Sequence, residues 1–318
     1  MLYTSIIFAL IYVFILTTLG TAVLDIIFRF FGKRGYLRNL YPNVRGGTPR
    51  AVGLVPFIIL SFYMVPDYSN LILIIGVCAF VDDLLGRVRS QRLGIEIGQF
   101  IRGLGILAVI IVGFFDGLGI SAFFIAFMVQ PFNISDMQPG STCMVTIIMS
   151  VLTIIAMLIF NSAPVNELPA VYTPILILLV CIAYSPLDFA GKIMLGEVGN
   201  HTFGVALGIA FYIAGGLFGV FVLSLISVML IAFVRRNSLR LFLTHQLRIR
   251  NPTFGDYVMD VITGGGLGDL IRKWIFKDVQ YKISNPLLII LGFRRLFYNP
   301  HAFHTKSRRR EGLLELRR

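Results

Sequence analysis

Gly216-Leu-Phe-Gly-Val-Phe-Val-Leu-Ser-Leu-Ile-Ser-Val-Met-Leu-Ile-Ala-Phe-Val234 runs without a charged residue and stops at Arg235-Arg236. Crossing the hydrocarbon core of a bilayer takes about 20 predominantly apolar residues, with a range of about 17–25. This stretch has that length, and the runs 5–27 and 143–160 repeat it with almost no charge. The whole chain follows suit: of 318 residues, 57% are hydrophobic and only 14% charged, at a mean hydropathy of +0.84. A soluble domain lies nearer to about 45–50% apolar and 25% charged. The fold class read from this is all-α, a polytopic membrane helix bundle.

Working outward along the chain, the apolar segments are 5–30, 51–65, 69–82, 98–114, 118–131, 142–160, 169–185, 201–214 and 216–234. They predict about nine transmembrane helices. The first segment has no basic residues before it and is longer than the apolar region of a signal peptide, so it reads as a retained helix. With the N-terminus outside and the C-terminus inside, every Lys and Arg falls on one face. Seventeen lie in the tail 235–318, and the other eleven sit in inside loops or at inner helix ends. This one-sided distribution is the positive-inside pattern. It accounts for the net charge of +12 without a nucleic-acid partner. Cys78, Cys143 and Cys181 lie in or beside apolar runs with no Cys-x-x-Cys spacing, and read as small buried residues.

Two domains are expected, a transmembrane domain over 1–234 and a basic cytoplasmic tail over 235–318. Within the tail, Leu267, Leu270, Ile271, Trp274 and Ile275 recur at helical spacing, with Arg272, Lys273 and Lys277 opposite. That is the pattern of an amphipathic helix resting on the inner membrane surface.

Four inner-face segments carry unusual polar residues. Arg45-Gly-Gly-Thr-Pro-Arg50 leads into a helix, where backbone N–H groups and two arginines suit a phosphate. Asp82-Asp83 ends an apolar helix, a costly place for carboxylates unless they are paired or functional. Asn133-Ile-Ser-Asp136 offers oxygen ligands for a hard cation. Gly196-Glu197-Val-Gly199-Asn200 sets a carboxylate between two glycines, which let a ligand approach the backbone closely. Read singly, each is also compatible with an ordinary helix end, turn or cap. His301-Ala-Phe-His304 lacks further ligands for a zinc site.

Taken in order, these segments resemble the polyprenyl-phosphate N-acetylhexosamine-1-phosphate transferase family. The family shows a Thr-Pro-Arg-Gly-Gly-like segment before its second helix, matched here by Thr48-Pro49-Arg50-Ala51-Val52-Gly53. Its Asp-Asp corresponds to Asp82-Asp83, its Asn-Leu-x-Asp-Gly to Asn133-Ile-Ser-Asp136, and its Gly-Asp-x-Gly-Ser to Gly196-Glu197-Val-Gly199-Asn200. The family's His-rich segment corresponds to His301-Ala-Phe-His304. The likeness covers residues 1–234. It departs in having Glu197 for Asp, in Asp136-Met-Gln-Pro-Gly140 for an acid-rich continuation, in two histidines for three, and in lacking a tenth helix.

The resemblance implies Mg²⁺-dependent transfer of a sugar-1-phosphate from a UDP-sugar to a polyprenyl phosphate, releasing UMP, in cell-wall or glycan biosynthesis. It implies Asn133 and Glu197 as Mg²⁺ ligands and Asp82, Asp83, Asp136 and His304 as catalytic residues. Arg45, Arg50 and His301 would contact substrate. The partners implied are the bilayer of the cell membrane, the lipid phosphate and the UDP-sugar, with a homodimer left open. The rival expectation is an inactive relative that binds lipid phosphate or nucleotide-sugar, or a subunit of a glycan assembly complex. A transporter fits less well, because the charged residues gather at one face and not at the bilayer midplane.

Overall fold

The computed structural model describes residues 2–86, 88, 96–160, 168–277, 279–299 and 302. It divides into two compact units, Met1–Ser227 and Val228–Arg318. The division falls inside the last apolar helix and not after it. Among the described residues every regular element is helical.

The first unit holds α1 (Leu2–Gly32), α2 (Leu54–Tyr63), α3 (Pro66–Leu85), α4 (Ile97–Gly113), α5 (Ser121–Phe127), α6 (Val129–Ser135), α7 (Ser141–Ile159), α8 (Leu168–Phe189) and most of α9 (Gly196–Val234). Among the described residues six stretches are long and apolar enough to cross a membrane: Ile6–Gly32, Pro66–Leu85, Ile97–Leu118, Ser141–Ile159, Val171–Phe189 and Gly196–Val234. Leu54–Tyr63 and Ser121–Ser135 are shorter apolar helices. In hydrocarbon a backbone must satisfy its own hydrogen bonds, so runs of this kind become helices. α3 packs between α2 and α4, α7 packs on α8, and α1 packs on α8 and α2.

Large apolar side chains cover the surface as well as filling the core. Phe8, Ile11, Tyr12, Leu19 and Ile26 of α1 are exposed, while Thr17 and Thr21 of the same helix are buried. α7 buries Thr142, Thr146, Ser150 and Thr153 and exposes Ile155, Leu158 and Ile159. Several of these hydroxyls donate to the carbonyl one turn back, as Thr17 does to Val13 O at 2.8 Å and Thr153 to Met149 O at 2.7 Å. Hydroxylated residues within the bundle and large apolar ones on its surface are what lipid as solvent allows.

α9 is broken at Gly215 and Gly216, the latter at φ 57°. A Cβ placed on Gly219 would stand 2.6 Å from Phe211 O. In a continuous helix those residues would be about 12 Å apart along the axis. The chain therefore turns back on itself, as the Gly-Gly pair in the sequence predicts. The first arm packs closely on α5. Gly204 approaches the Met128 carbonyl and Gly208 the Cα of Ile125, a small-residue spacing that brings helix backbones together.

The second unit holds α10 (Arg236–His245), α11 (Phe254–Thr263), α12 (Gly266–Phe276), α13 (Pro286–Ile290) and α14 (Phe293–Leu296). A capping box starts α11: Asp256 Oδ2 accepts from Thr253 N at 2.9 Å, and Thr253 Oγ1 accepts from Asp256 N at 3.4 Å. Arg294 and Arg295 of α14 bind Asp256 at 2.6 Å and Asp260 at 2.5 Å. On α12, Ile271, Trp274 and Ile275 are exposed. Arg272 is not on the solvated face that the helical spacing suggests. It is buried and donates to Thr263 O at 2.7 and 2.9 Å, where it caps the last turn of α11.

Two outcomes follow from this unit. Asp260→Asn removes the charge facing a buried guanidinium and is expected to cost about 3–5 kcal/mol, read as a lowered midpoint in urea unfolding of the purified protein. Trp274 is the only tryptophan, and the isoleucines beside it make a face suited to the headgroup region. In nanodiscs its fluorescence should be quenched by brominated lipids and shielded from iodide; the reverse result refutes a bilayer-facing α12.

Candidate functional site

The loop before α2 is fixed by backbone pairing. Met194 N donates to Pro49 O at 2.9 Å, Val52 N to Met194 O at 3.2 Å, Gly53 N to Leu195 O at 3.1 Å, and Arg50 N to Leu40 O at 2.8 Å. Ala51 sits among these bonds at φ 61°, in the left-handed region that side chains disfavour. The surrounding ladder holds it there and so aims Arg50. A Cβ on Gly53 would lie 2.5 Å from Gly199 Cα, so glycine is required for the α2 and α9 starts to meet.

Asp83 lies at the junction. It is fully buried, and its Oδ1 and Oδ2 accept from Glu197 N at 3.1 Å and Val198 N at 3.0 Å. These amides belong to the first turn of α9, where N–H groups have no partner within the helix and the dipole favours an anion. Arg50 Nε stands 3.1 Å from the same carboxylate, and its Nη2 is 3.6 Å from Glu197 Oε1. Burial opposes the Arg50 charge, but Asp83, and after it Glu197, outweigh this and raise its pKa.

Glu197 is the centre of the cluster. Its Oε2 lies 3.2 Å from Arg102 Nη1 and 3.1 Å from His201 Nε2. The Asn133 amide satisfies both neighbours in one orientation, its nitrogen donating to Glu197 Oε2 at 2.9 Å and its oxygen accepting from Arg102 Nη1 at 3.0 Å. That orientation is assigned from the network. Arg102 Nη1 is also 4.0 Å from Asp82 Oδ2. A Cβ on Gly98 would fall 1.8 Å from Asp82 Oδ1, so α4 reaches this position only because residue 98 has no side chain.

Asp82, Asp83, Asn133, Glu197 and Arg50 are thus brought together from four of the sequence motifs' helices and loops. Asp136 lies beside them, hydrogen-bonded by the Asn200 side chain. Arg45 is engaged elsewhere and donates to Gly191 O at 3.0 Å. His301 and His304 lie outside the described residues. The sequence reading passed over Arg102 and His201. A lone Arg inside the apolar run 98–114 was the available signal, since an ionisable residue within a membrane helix marks a functional site by default. Asn133 and Glu197 are helical, in the last turn of α6 and the first of α9, where the loops 132–141 and 186–200 had been expected. Their mutual bonds meet the polar demand that otherwise favours a loop.

Compared with known proteins, the chain matches no family model and no curated sequence.

The two adjacent acids should behave differently. Asp83→Ala strands two helix amides and a guanidinium and is expected to cost about 3–5 kcal/mol. Asp82→Ala removes one of several crowded carboxylates and is expected to stay within about 1 kcal/mol of wild type. Thermal unfolding of the two variants in detergent decides; equal losses would refute the capping role of Asp83.

Proposed function

We propose that this chain transfers a sugar-1-phosphate from a UDP-sugar to a polyprenyl phosphate at the inner face of the cell membrane. The observation that carries the reading is the convergence of segments 48–53, 82–83, 133–136 and 196–200 on one buried cluster of acids and arginines. The family resemblance requires those segments to meet. A soluble nucleotide and a bilayer-bound lipid can react only where apolar helices end in polar side chains.

The topology that goes with this reading has nine crossings, with the N-terminus outside. The six long apolar stretches, the two shorter apolar helices and the reversal at Gly215-Gly216 support that count.

In the reaction an oxygen of the lipid phosphate attacks the phosphorus that bears the sugar. The bond from that phosphorus to the bridging oxygen breaks, and UMP leaves with the electron pair. Both partners are anions, so the barrier is largely electrostatic and fixed positive charge lowers it. Arg50, held from both sides by backbone and by Asp83, is the rigid cation for phosphate oxygens. Asp82, whose Oδ2 is 4.0 Å from Arg102 Nη1, would help position the lipid phosphate. Asp83 orients Arg50 and α9.

The donor set fits Mg²⁺. Asp82 Oδ2, Asn133 Oδ1 and Glu197 Oε2 all face a single positively charged nitrogen, Arg102 Nη1, at 4.0, 3.0 and 3.2 Å. Oxygen ligands of this kind are what a hard divalent cation takes. Bound there, Mg²⁺ would offset charge on the diphosphate.

The test is purified protein incubated with a panel of UDP-sugars, polyprenyl phosphate and Mg²⁺, with UMP measured. Glu197→Gln keeps the size and loses the charge, and is expected to lower UMP release by about 10²–10³-fold; Glu197→Asp should retain part of the rate. An active wild type indifferent to Glu197→Gln refutes the role given to Glu197. A wild type silent with every donor points to the binding-protein alternative.

A further inference from the structure

Arg102 lies in α4, in a stretch with no other charge between Ile97 and Leu118 except Asp116 near its far end. Its side chain is only 12% exposed. One of its nitrogens, Nη1, does unusual duty: it faces Asn133 Oδ1 from α6, Glu197 Oε2 from α9 and Asp82 Oδ2 from α3. Three helices therefore present an oxygen to one nitrogen of a fourth. Arg50 is different, because it bonds Asp83 and reaches only the other oxygen of Glu197. The two arginines divide the Glu197 carboxylate between them.

We infer that Arg102 is a built-in counter-ion that occupies the cation position formed by Asp82, Asn133 and Glu197, and that a divalent cation binds there only by displacing it. The inference rests on the reading of these oxygens as a hard-cation site. A divalent ion bound to them at about 2.0–2.1 Å would sit against the Nη1 position, so both charges cannot hold the oxygens together. The guanidinium has to give up the carboxylates as the ion arrives. The apparent affinity for the ion is lowered by the fraction of molecules in which Arg102 holds the site. Once released, the guanidinium has a bidentate donor edge available, and the phosphate of an incoming substrate is the anion that matches it. Metal and phosphate would then reinforce each other's binding, since each gives a partner to a charge the other leaves.

A purely structural role for Arg102 predicts the opposite sign for its removal. If the guanidinium merely supported the cluster, losing it would loosen the oxygens and weaken metal binding. If it competes, losing it strengthens metal binding.

The experiment is Mn²⁺ binding to the purified full-length protein without nucleotide, followed by loss of the free-ion electron paramagnetic resonance signal. Arg102→Gln is expected to bind Mn²⁺ at least about 10-fold more tightly than wild type, and Arg102→Gln with Glu197→Gln should lose that gain. Arg102→Lys keeps a charge but lacks the fork that spans these oxygens. It should bind only about 2–5-fold more tightly than wild type, and it carries the test should Arg102→Gln not fold. Equal or weaker Mn²⁺ binding in the Arg102 variants overturns the inference. So does an absence of binding in every variant. Because UMP release is measured separately, a protein that transfers sugar-phosphate yet binds no Mn²⁺ would sink this inference and leave the transfer reading standing.

Discussion

Two backbone amides at the start of α9 converge on the carboxylate of Asp83, and Arg50 closes on it from the loop before α2. Helix starts leave N–H groups unpaired, and a buried start without partners is costly. Asp83 answers that demand from the end of α3, so α3 and α9 are locked in register although 114 residues separate Asp83 from Glu197. Arg50 then has a fixed anion to lean on, and the ladder between 49–53 and 194–195 sets its backbone. Glu197 follows directly after Gly196, so its position is inherited from the cap. Had Asp83 been an ordinary solvated helix end, neither Arg50 nor Glu197 would have a determined place.

The same economy of polar contacts explains the bundle around the cluster. Away from the cluster, several buried hydroxyls bond back to their own helix, as Thr146 does to Thr142 O at 2.8 Å. They need no partner from another helix and so impose no geometry. Within the cluster, most amides, carboxylates and guanidinium groups find partners across helices. Geometric precision is concentrated there, and glycines at 53, 98 and 199 remove the bulk that would keep the helices apart.

Much of the fold was legible because hydrocarbon imposes a simple rule. Apolar runs of sufficient length become helices, and the Gly215-Gly216 pair inside one long run marks a reversal. Boundaries were less legible. Asn133 and Glu197 read as loop residues because amides and acids are disfavoured at apolar helix ends, yet each is stabilised by the other and by Arg102. The acids of the site were visible as pairs and motifs along the chain. Arg102 was visible only as a lone charge in an apolar run, because its partners are spread over 95 residues of sequence. It entered the sequence reading only as one more charge on the inner face. Arg272 was misplaced for a related reason: helical periodicity assigns a face, but a long cation can fold back onto a carbonyl of the preceding helix.

Charge balance within the cluster bears on the chemistry proposed for it. Asp82, Asp83 and Glu197 stand against Arg50 and Arg102, three acids to two guanidinium groups. A lone anion approaching this cluster gains the attraction of two arginines but only where their carboxylate partners release them. Asp83 is held beside Arg50 by the two α9 amides, whereas Glu197 and Asp82 hold Arg102 through contacts no element depends on for its start. The two arginines are therefore unequal by construction: Arg50 is a fixed cation, and Arg102 is the one whose partners can change. A site meant for an anionic substrate together with a cation needs one positive charge of each kind, the first to define where the phosphate goes and the second to yield its place as the ion comes in.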